Sequence, residues 1–346
     1  ATRVNKEGLI EVVTNDRPRI DYTDTSDGVL LLENAATNLI TYSEDFSNSI
    51  WNQGATRSVT FVPTNTIDPQ GQTNAYRITS TASDNQVAVL STVVSGQIYN
   101  NSIYVKRVSG SGDVILRNVN NQQNNFQLSV SDGWKRIDET ATSTSTFGRL
   151  YINLETIGDE IEIWGAQLEL GNISSYIPTQ GSASTRVAET ASGSGNSEVF
   201  NSSEGVLHCE ISALSDDLTN RMIVLTDGTT ANSLQLAYIP ASNKIAYYVK
   251  VGNVNSAVLE YQYSDITFNT KIAVTWKLNE FKFYVNGFKV MEDLSGATYS
   301  ANTLDKLNFK RTDGFPFYGK TKEIGVYDTV LTDLELETLT SYKSWT

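Results

Sequence analysis

The residues most able to do covalent chemistry here are few. The chain of 346 residues holds one His and one Cys, and they are neighbours, His208 and Cys209. A thiol beside an imidazole is the raw material of a nucleophile and its base. The flanking residues alternate as a strand does, however, and adjacent strand residues point to opposite faces. The expectation is a buried Cys209, a half-exposed His208 and no shared site. No other His or Cys exists to build a Ser/His/Asp arrangement without His208 or a multi-Cys zinc site. Neither a G-x-S-x-G elbow nor a phosphate-cradling glycine loop occurs.

Carboxylates are the second reservoir, with 39 Asp and Glu in the chain. Two can suffice for glycoside hydrolysis. Glu160 and Glu162 share one face of an expected strand, a pattern that reads as a solvated face and not as a catalytic pair. Asp21, Asp24 and Asp27 cluster in DYTDTSDG, without the spacing of an EF-hand. No cofactor is expected; Asp68, in TIDPQGQTN, with nearby backbone carbonyls is the one candidate ligand for a structural calcium. Turn chemistry accounts for both stretches equally well. Aromatic rings with amides around them suit sugar binding, because a ring face stacks on a pyranose while Asn, Asp and Gln read hydroxyls. Trp51, Tyr42, Trp134 and Tyr151 are the candidates in the first half, with Trp51 foremost because NSIWNQG reads as a loop. Tyr247, Tyr248, Tyr261 and Tyr263 are available in the second half. Trp164 and Trp276 sit inside apolar strands and are assigned to cores.

The elements that would position these groups are strands. Short β-type segments recur about every ten residues, at 58–63, 75–80, 86–94, 99–108, 113–119, 125–130, 134–142, 148–155 and 160–170. A second series runs over 205–212, 220–227, 233–240, 244–251, 257–264, 270–277, 280–287 and 322–328. Such spacing marks β-sandwiches. In KLNEFKFYVNG, Phe281, Phe283 and Val285 fall on one face and Lys282 and Tyr284 on the other, with turns at 278–280 and at Asn286-Gly287. One helix is expected, over 332–341, with Thr332 and Glu335 as its capping box and Leu334, Leu336 and Leu339 as its apolar positions. The fold class is all-β: two tandem β-sandwich (jelly-roll) domains and one short C-terminal helix. Residues 1–37 read as an N-terminal connecting arm, of which GVLLLE could pair as an edge strand. Residues 38–186 form the first sandwich, the Ser/Gly-rich 187–203 a linker, and 204–346 the second sandwich.

Charge narrows the partners. With 26 Lys and Arg the net charge is -13 and the isoelectric point about 4.6, so no basic stripe exists for a nucleic-acid backbone. No apolar run approaches the roughly 20 residues that span a bilayer, and no signal peptide is visible at Ala1. The start lacks Met, so the expectation is a processed or truncated product. A single Cys argues against a eukaryotic extracellular module.

Two motifs carry a resemblance. GVLLLENAATNLITYSEDFSNSIW (28–51) and WGAQLELGNISSYIPTQGSASTR (164–186) resemble the opening and closing segments of a module in tailed-bacteriophage structural proteins. Between them the chain resembles a carbohydrate-binding jelly roll of the xylan- or cellulose-binding kind. The preceding ATRVNKEGLIEVVTNDRPRIDY is similar to the phage arm that introduces this module, which implies a segment upstream of Ala1. IAVTWKLNEFKFYVNGFKV (272–290) and FYGKTKEIGVYDTVLTDLELETLTS (317–341) resemble the concanavalin A-like lectin/laminin-G superfamily. The resemblance implies a non-enzymatic virion structural protein at the virion surface, a tail fibre, head fibre or capsid decoration adhering to host or environmental glycans. Its partners would be other virion proteins, surface polysaccharide and further copies of itself as a homo-oligomer, with no membrane insertion. A purely architectural capsid or tail cement, and a polysaccharide depolymerase with these as accessory modules, are the alternatives. The motifs carry no sugar-binding or catalytic residues onto the chain.

Overall fold

The computed structural model describes residues 1–51, 59–83, 85–120 and 122–342. The chain is all-β apart from short helical turns and the C-terminal helix Asp333–Thr340. It divides into two compact units, and neither is continuous in sequence: unit 1 comprises Ala1–Arg17 and Ala35–Ala188, unit 2 comprises Pro18–Asn34 and Glu189–Thr346.

Unit 1 pairs a four-stranded sheet with a five-stranded one. The first runs Gln123–Phe126, Val114–Arg117, Phe147–Leu154, Asn85–Thr92; the second runs Lys135–Thr142, Ile98–Ser109, Glu160–Leu170, Tyr76–Thr79, Val62–Pro63. Alternation explains the layering. Val87, Val89, Leu150 and Ile152 from one sheet meet Ile103, Val105, Ile161 and Ile163 from the other in a single core. The expected strand over 58–63 shrinks to Val62–Pro63; its first residue, Ser58, lies outside the described residues.

Unit 2 repeats the plan with a larger core. A seven-stranded sheet runs Phe288–Asp293, Glu280–Val285, Thr270–Lys277, Gly205–Ala213, Gly319–Tyr327, Val29–Leu32, Ile20–Asp21. A five-stranded sheet runs Val254–Gln262, Lys244–Val251, Ser233–Ile239, Arg221–Thr226, Lys306–Asn308. Phe281, Phe283 and Val285 point into the core between them, as the alternation predicts, and Tyr284 points away. Asn279, Asn286 and Gly287 take positive φ of 59°, 50° and 88° in the two turns, the conformation that tight hairpins demand and that Asn and Gly tolerate. Thr332 caps the helix reciprocally with Glu335. Of its three expected apolar positions Leu336 is buried and Leu339 half-buried, while Leu334 is exposed, because an eight-residue helix lays only one narrow stripe on the sheet.

Three expectations about the ends of the sandwiches need correction. Residues 1–37 are not a free arm. Thr2–Val4 and Ile10–Val12 pair as a hairpin, and Ile10 packs with Trp164 and Tyr176 of unit 1. Val29–Leu32 is not an edge strand; it lies between Gly319–Tyr327 and Ile20–Asp21 in unit 2. Its run of apolar residues is the mark of a strand covered on both faces: Val29, Leu31 and Leu32 are buried and Leu30 half-buried. Residues 187–203 are likewise no free linker. Glu189 joins Glu33 around the buried Arg19 of unit 2, Ser194 bridges to Leu307, and Phe200 is buried in the core. Ser and Gly dominate the composition there, and the few apolar and charged residues that tie the segment down are easily outweighed in a reading by composition.

Candidate functional site

His208 and Cys209 stay apart, as strand alternation requires. Cys209 joins the unit 2 core, and burial pushes its thiol well up from the ordinary value, so no thiolate is on hand. His208 lies on the opposite face. It is buried rather than half-exposed, with Nδ1 3.8 Å from Glu323 and neither ring nitrogen hydrogen-bonded among the described residues. Glu160 and Glu162 are structural. Glu162 is 1 % exposed, not solvated, and is held by Thr66 Oγ1 at 2.6 Å and Arg77 at 3.0 Å. Asp21 turns back on the Thr23 amide and Asp24 pairs with Lys320. Asp68 is buried, and its carboxylate accepts the backbone N–H groups of Gln70, Gln72 and Asn74 at 2.8, 3.0 and 3.1 Å, the geometry of a loop staple. Among the described residues no three His, Cys, Asp or Glu side chains gather to hold a metal ion.

The expected aromatic platforms are largely interior. Trp51, expected as the exposed one, is 4 % exposed. Its ring packs 4.4 Å from that of Phe46, and its Nε1 donates to the Tyr42 carbonyl at 3.1 Å. A turn folds the loop back onto the sandwich, and a Trp there fills the corner. Tyr151 is buried on the outer side of the four-stranded sheet under the Arg149 guanidinium, 5.0 Å from the ring centre. Trp134 is half-buried beside Trp164, Tyr176 and Tyr104, and donates to the Ile67 carbonyl at 2.8 Å. Tyr42, also half-buried, forms an isolated bridge with Gln180. Of the four, Trp51 and Tyr42 share one locality, and that locality holds a groove.

This groove, of ≈ 790 Å³, is walled by Glu44 and Asp45 on one side, Pro178, Thr179 and Gln180 on another, and Asn74 and Tyr76 on a third. Its construction follows from the two sequence motifs. In TNLITYSEDFSNSIW the apolar Ile40, Phe46 and Trp51 turn inward. Residues 41–47 run outside the two main sheets, so neighbouring Glu44 and Asp45 both reach the groove. In SYIPTQG, Thr179 locks to Ser43 from both sides: its N–H donates to Ser43 Oγ at 2.8 Å and its Oγ1 accepts the Ser43 N–H at 3.0 Å. Tyr176, its ring buried, donates to Glu44 Oε1 at 2.9 Å and meets Ser43 Oγ at 2.7 Å. Gly181 N–H closes onto the Thr41 carbonyl at 2.7 Å. Asp45 accepts the Ser47 N–H at 3.1 Å and faces the Tyr76 hydroxyl at 3.4 Å. Burial, and then the nearby charge of Asp68, raises the Glu44 carboxyl above its ordinary value against the opposing Tyr176 bond. No Lys, Arg or His is among the described lining residues. A groove of this size, with hydroxyls, amides, carboxylates and one half-buried ring, can pair with a ligand rich in hydroxyl groups. In the sequence Glu44, Asp45 and Gln180 stand only as letters of two motifs; their convergence across more than a hundred residues has no local signature.

No family model matches the chain, and no curated protein matches it. Solved structures do show likeness. The Ruminococcus gnavus IT-sialidase CBM40 is 16% identical over 44% of this chain and 97% of its own, with a TM-score of 0.37. Domain 4 of AbnA, an arabinanase of Geobacillus stearothermophilus solved with arabinotriose, is 12% identical over 46% of this chain and 73% of its own, at 0.35. Domains LG4-5 of the mouse laminin alpha1 chain are 11% identical over 96% of this chain and 97% of theirs, at 0.31. The first is a carbohydrate-binding module and the third a pair of laminin G domains.

Proposed function

We propose that the chain is a non-enzymatic glycan-binding protein displayed on a bacteriophage particle, as a fibre or as capsid-surface decoration, and that the unit 1 groove takes a neutral, hydroxyl-rich sugar. The observation that carries this reading is convergence. The two segments that resemble phage modules, 28–51 and 164–186, meet through the Ser43–Thr179 lock, and from them Glu44, Asp45 and Gln180 line the groove. Carboxylates and amides accept and donate in the patterns that vicinal hydroxyls match. The lack of a basic lining residue disfavours an anionic sugar. The phage assignment rests on the sequence resemblance, with other virion proteins and further copies of the chain as its partners.

A weak site is sufficient in this setting, because many copies on one particle raise the effective concentration of the next contact. Glycan-array binding of the full chain tests the reading: retained neutral glycans, lost on Asp45→Asn or Gln180→Ala, support it, and an array without hits favours a purely architectural cement. The raised proton affinity of Glu44 beside Asp45 favours one second reading, a depolymerase in which the two carboxyls divide the work of acid and base. Release of reducing ends from a bound polysaccharide, abolished by Glu44→Gln, would establish it.

A further inference from the structure

The outer face of the five-stranded sheet in unit 2 holds a second groove, of ≈ 300 Å³, at the low end of the range for ligand clefts. Strand alternation builds it. Leu234, Leu236, Ile245, Tyr247 and Val249 point into the core, so Gln235, Tyr248 and Lys250 point out. The register places Gln235 opposite Tyr248 and Lys250 opposite Asn255. A short hairpin, Lys310–Arg311 paired with Gly314–Pro316, brings Arg311 and Phe315 over the same face. Phe315 takes φ 62°, a conformation that a bulky side chain rarely adopts and that clusters at ligand clamps. Its ring packs on the apolar patch of Met222, Val224, Ala237 and Ala246, together with Tyr248, and carries the Arg311 guanidinium 4.5 Å from its centre.

The charges facing this groove do not cancel. Lys244 pairs with Glu260 at 2.6 Å, and Tyr248 donates to the same carboxylate at 2.9 Å. Arg311 forks onto Asp313 at 2.5 and 3.1 Å through Nε and Nη2. That fork fixes the guanidinium and engages two of its three nitrogens. Lys250 has no ion pair among the described residues. One positive charge therefore stands uncompensated, beside two aromatic rings and the side chains of Gln235 and Asn255, on a chain whose net charge is -13. Gln235 donates one of its two amide hydrogens to Ser233 Oγ at 2.8 Å, which leaves its oxygen and the second hydrogen to pair with a ligand hydroxyl.

We propose that this groove is a second saccharide site, independent of the unit 1 groove, and that it takes an acidic sugar: the anionic group on Lys250 with support from Arg311, the ring against Tyr248 and Phe315, and a hydroxyl on Gln235. The anion is a carboxylate or a sulfate, and the two call for the same chemistry. Calorimetric titration of the full chain carrying Asp45→Asn, which silences the unit 1 groove and leaves every residue of this one in place, with trigalacturonic acid, a heparin-derived sulfated disaccharide and neutral galactotriose tests it. At least one acidic probe binds and the neutral trimer does not; which acidic probe binds names the source of the charge. Lys250→Gln weakens that binding at least about tenfold, the scale of one charge-assisted hydrogen bond. Lys277→Gln removes the same charge from a surface pair with Glu204 and leaves binding unchanged. Binding of the neutral trimer equal to that of the acids, no binding of either acid, or acid binding indifferent to Lys250→Gln overturns the proposal.

Discussion

His208 shows what one buried side chain does to stability. Burial lowers its affinity for a proton below the ordinary value of 6.5; Glu323 and Glu210 oppose that, and Lys271 adds to it. A group whose folded pKa is depressed contributes stability that is present above the unfolded value and lost as pH falls through it. Urea melts therefore show less stability at pH 5 than at pH 7.5, and the His208→Gln variant shows a smaller difference between the two. An unchanged difference would mean that Glu323 accepts the proton-bearing ring without strain. Glu44 runs in the other direction. Its raised pKa means that the charged form is held at a cost above the usual carboxylate range, so Glu44→Gln is more thermostable than the parent at pH 7 and loses that advantage near pH 4. The same variant binds sugar more weakly, because a strained carboxylate is a ligand group retained against stability. Alternation alone placed His208 and Cys209 on opposite faces, but it did not reveal that His208 is buried. The burial of Trp51 was not readable either, since it depends on Phe46 and the Tyr42 carbonyl, which only the folded turn brings to it.

At the scale of elements, the strands were foreseeable wherever apolar and polar residues alternate. The membership of each sheet was not. Ile20–Asp21 and Val29–Leu32 belong to a sheet whose other strands begin at residue 205, and no local pattern announces a partner at that distance. What pins this insertion is Arg19, 2 % exposed, bonded to Glu33 at 2.7 Å and to Glu189 at 2.8 Å. Removing one partner from a buried ionic group leaves uncompensated charge. Arg19→Met therefore costs about 3–5 kcal/mol by denaturant melts, while the triple replacement Arg19→Met, Glu33→Leu, Glu189→Leu recovers most of it. Equal losses in the single and triple variants would contradict the role given to the triad. The helix cap is a smaller matter: Thr332 accepts the Glu335 N–H at 3.3 Å, and Thr332→Ala costs about 1 kcal/mol, read from the same melts.

On the scale of the molecule, two sandwiches offer two grooves of opposite character, one lined by carboxylates and one with an uncompensated cation. The net charge of -13 opposes non-specific contact with a nucleic-acid backbone. It also means that any binding of an acidic sugar must depend on local positive charge and weaken as salt rises, whereas binding of a neutral sugar in unit 1 must be nearly indifferent to salt. The central claim is that the paired signature segments exist to shape the unit 1 groove for a glycan. The most direct measurement is a titration of the isotope-labelled chain with the neutral oligosaccharide that the array retains, followed by backbone amide shifts. A glycan seated in this groove concentrates the shifts at 42–47, 73–76 and 178–181, and they vanish in Asp45→Asn. Shifts that fall elsewhere, or that survive the substitution, would contradict the claim.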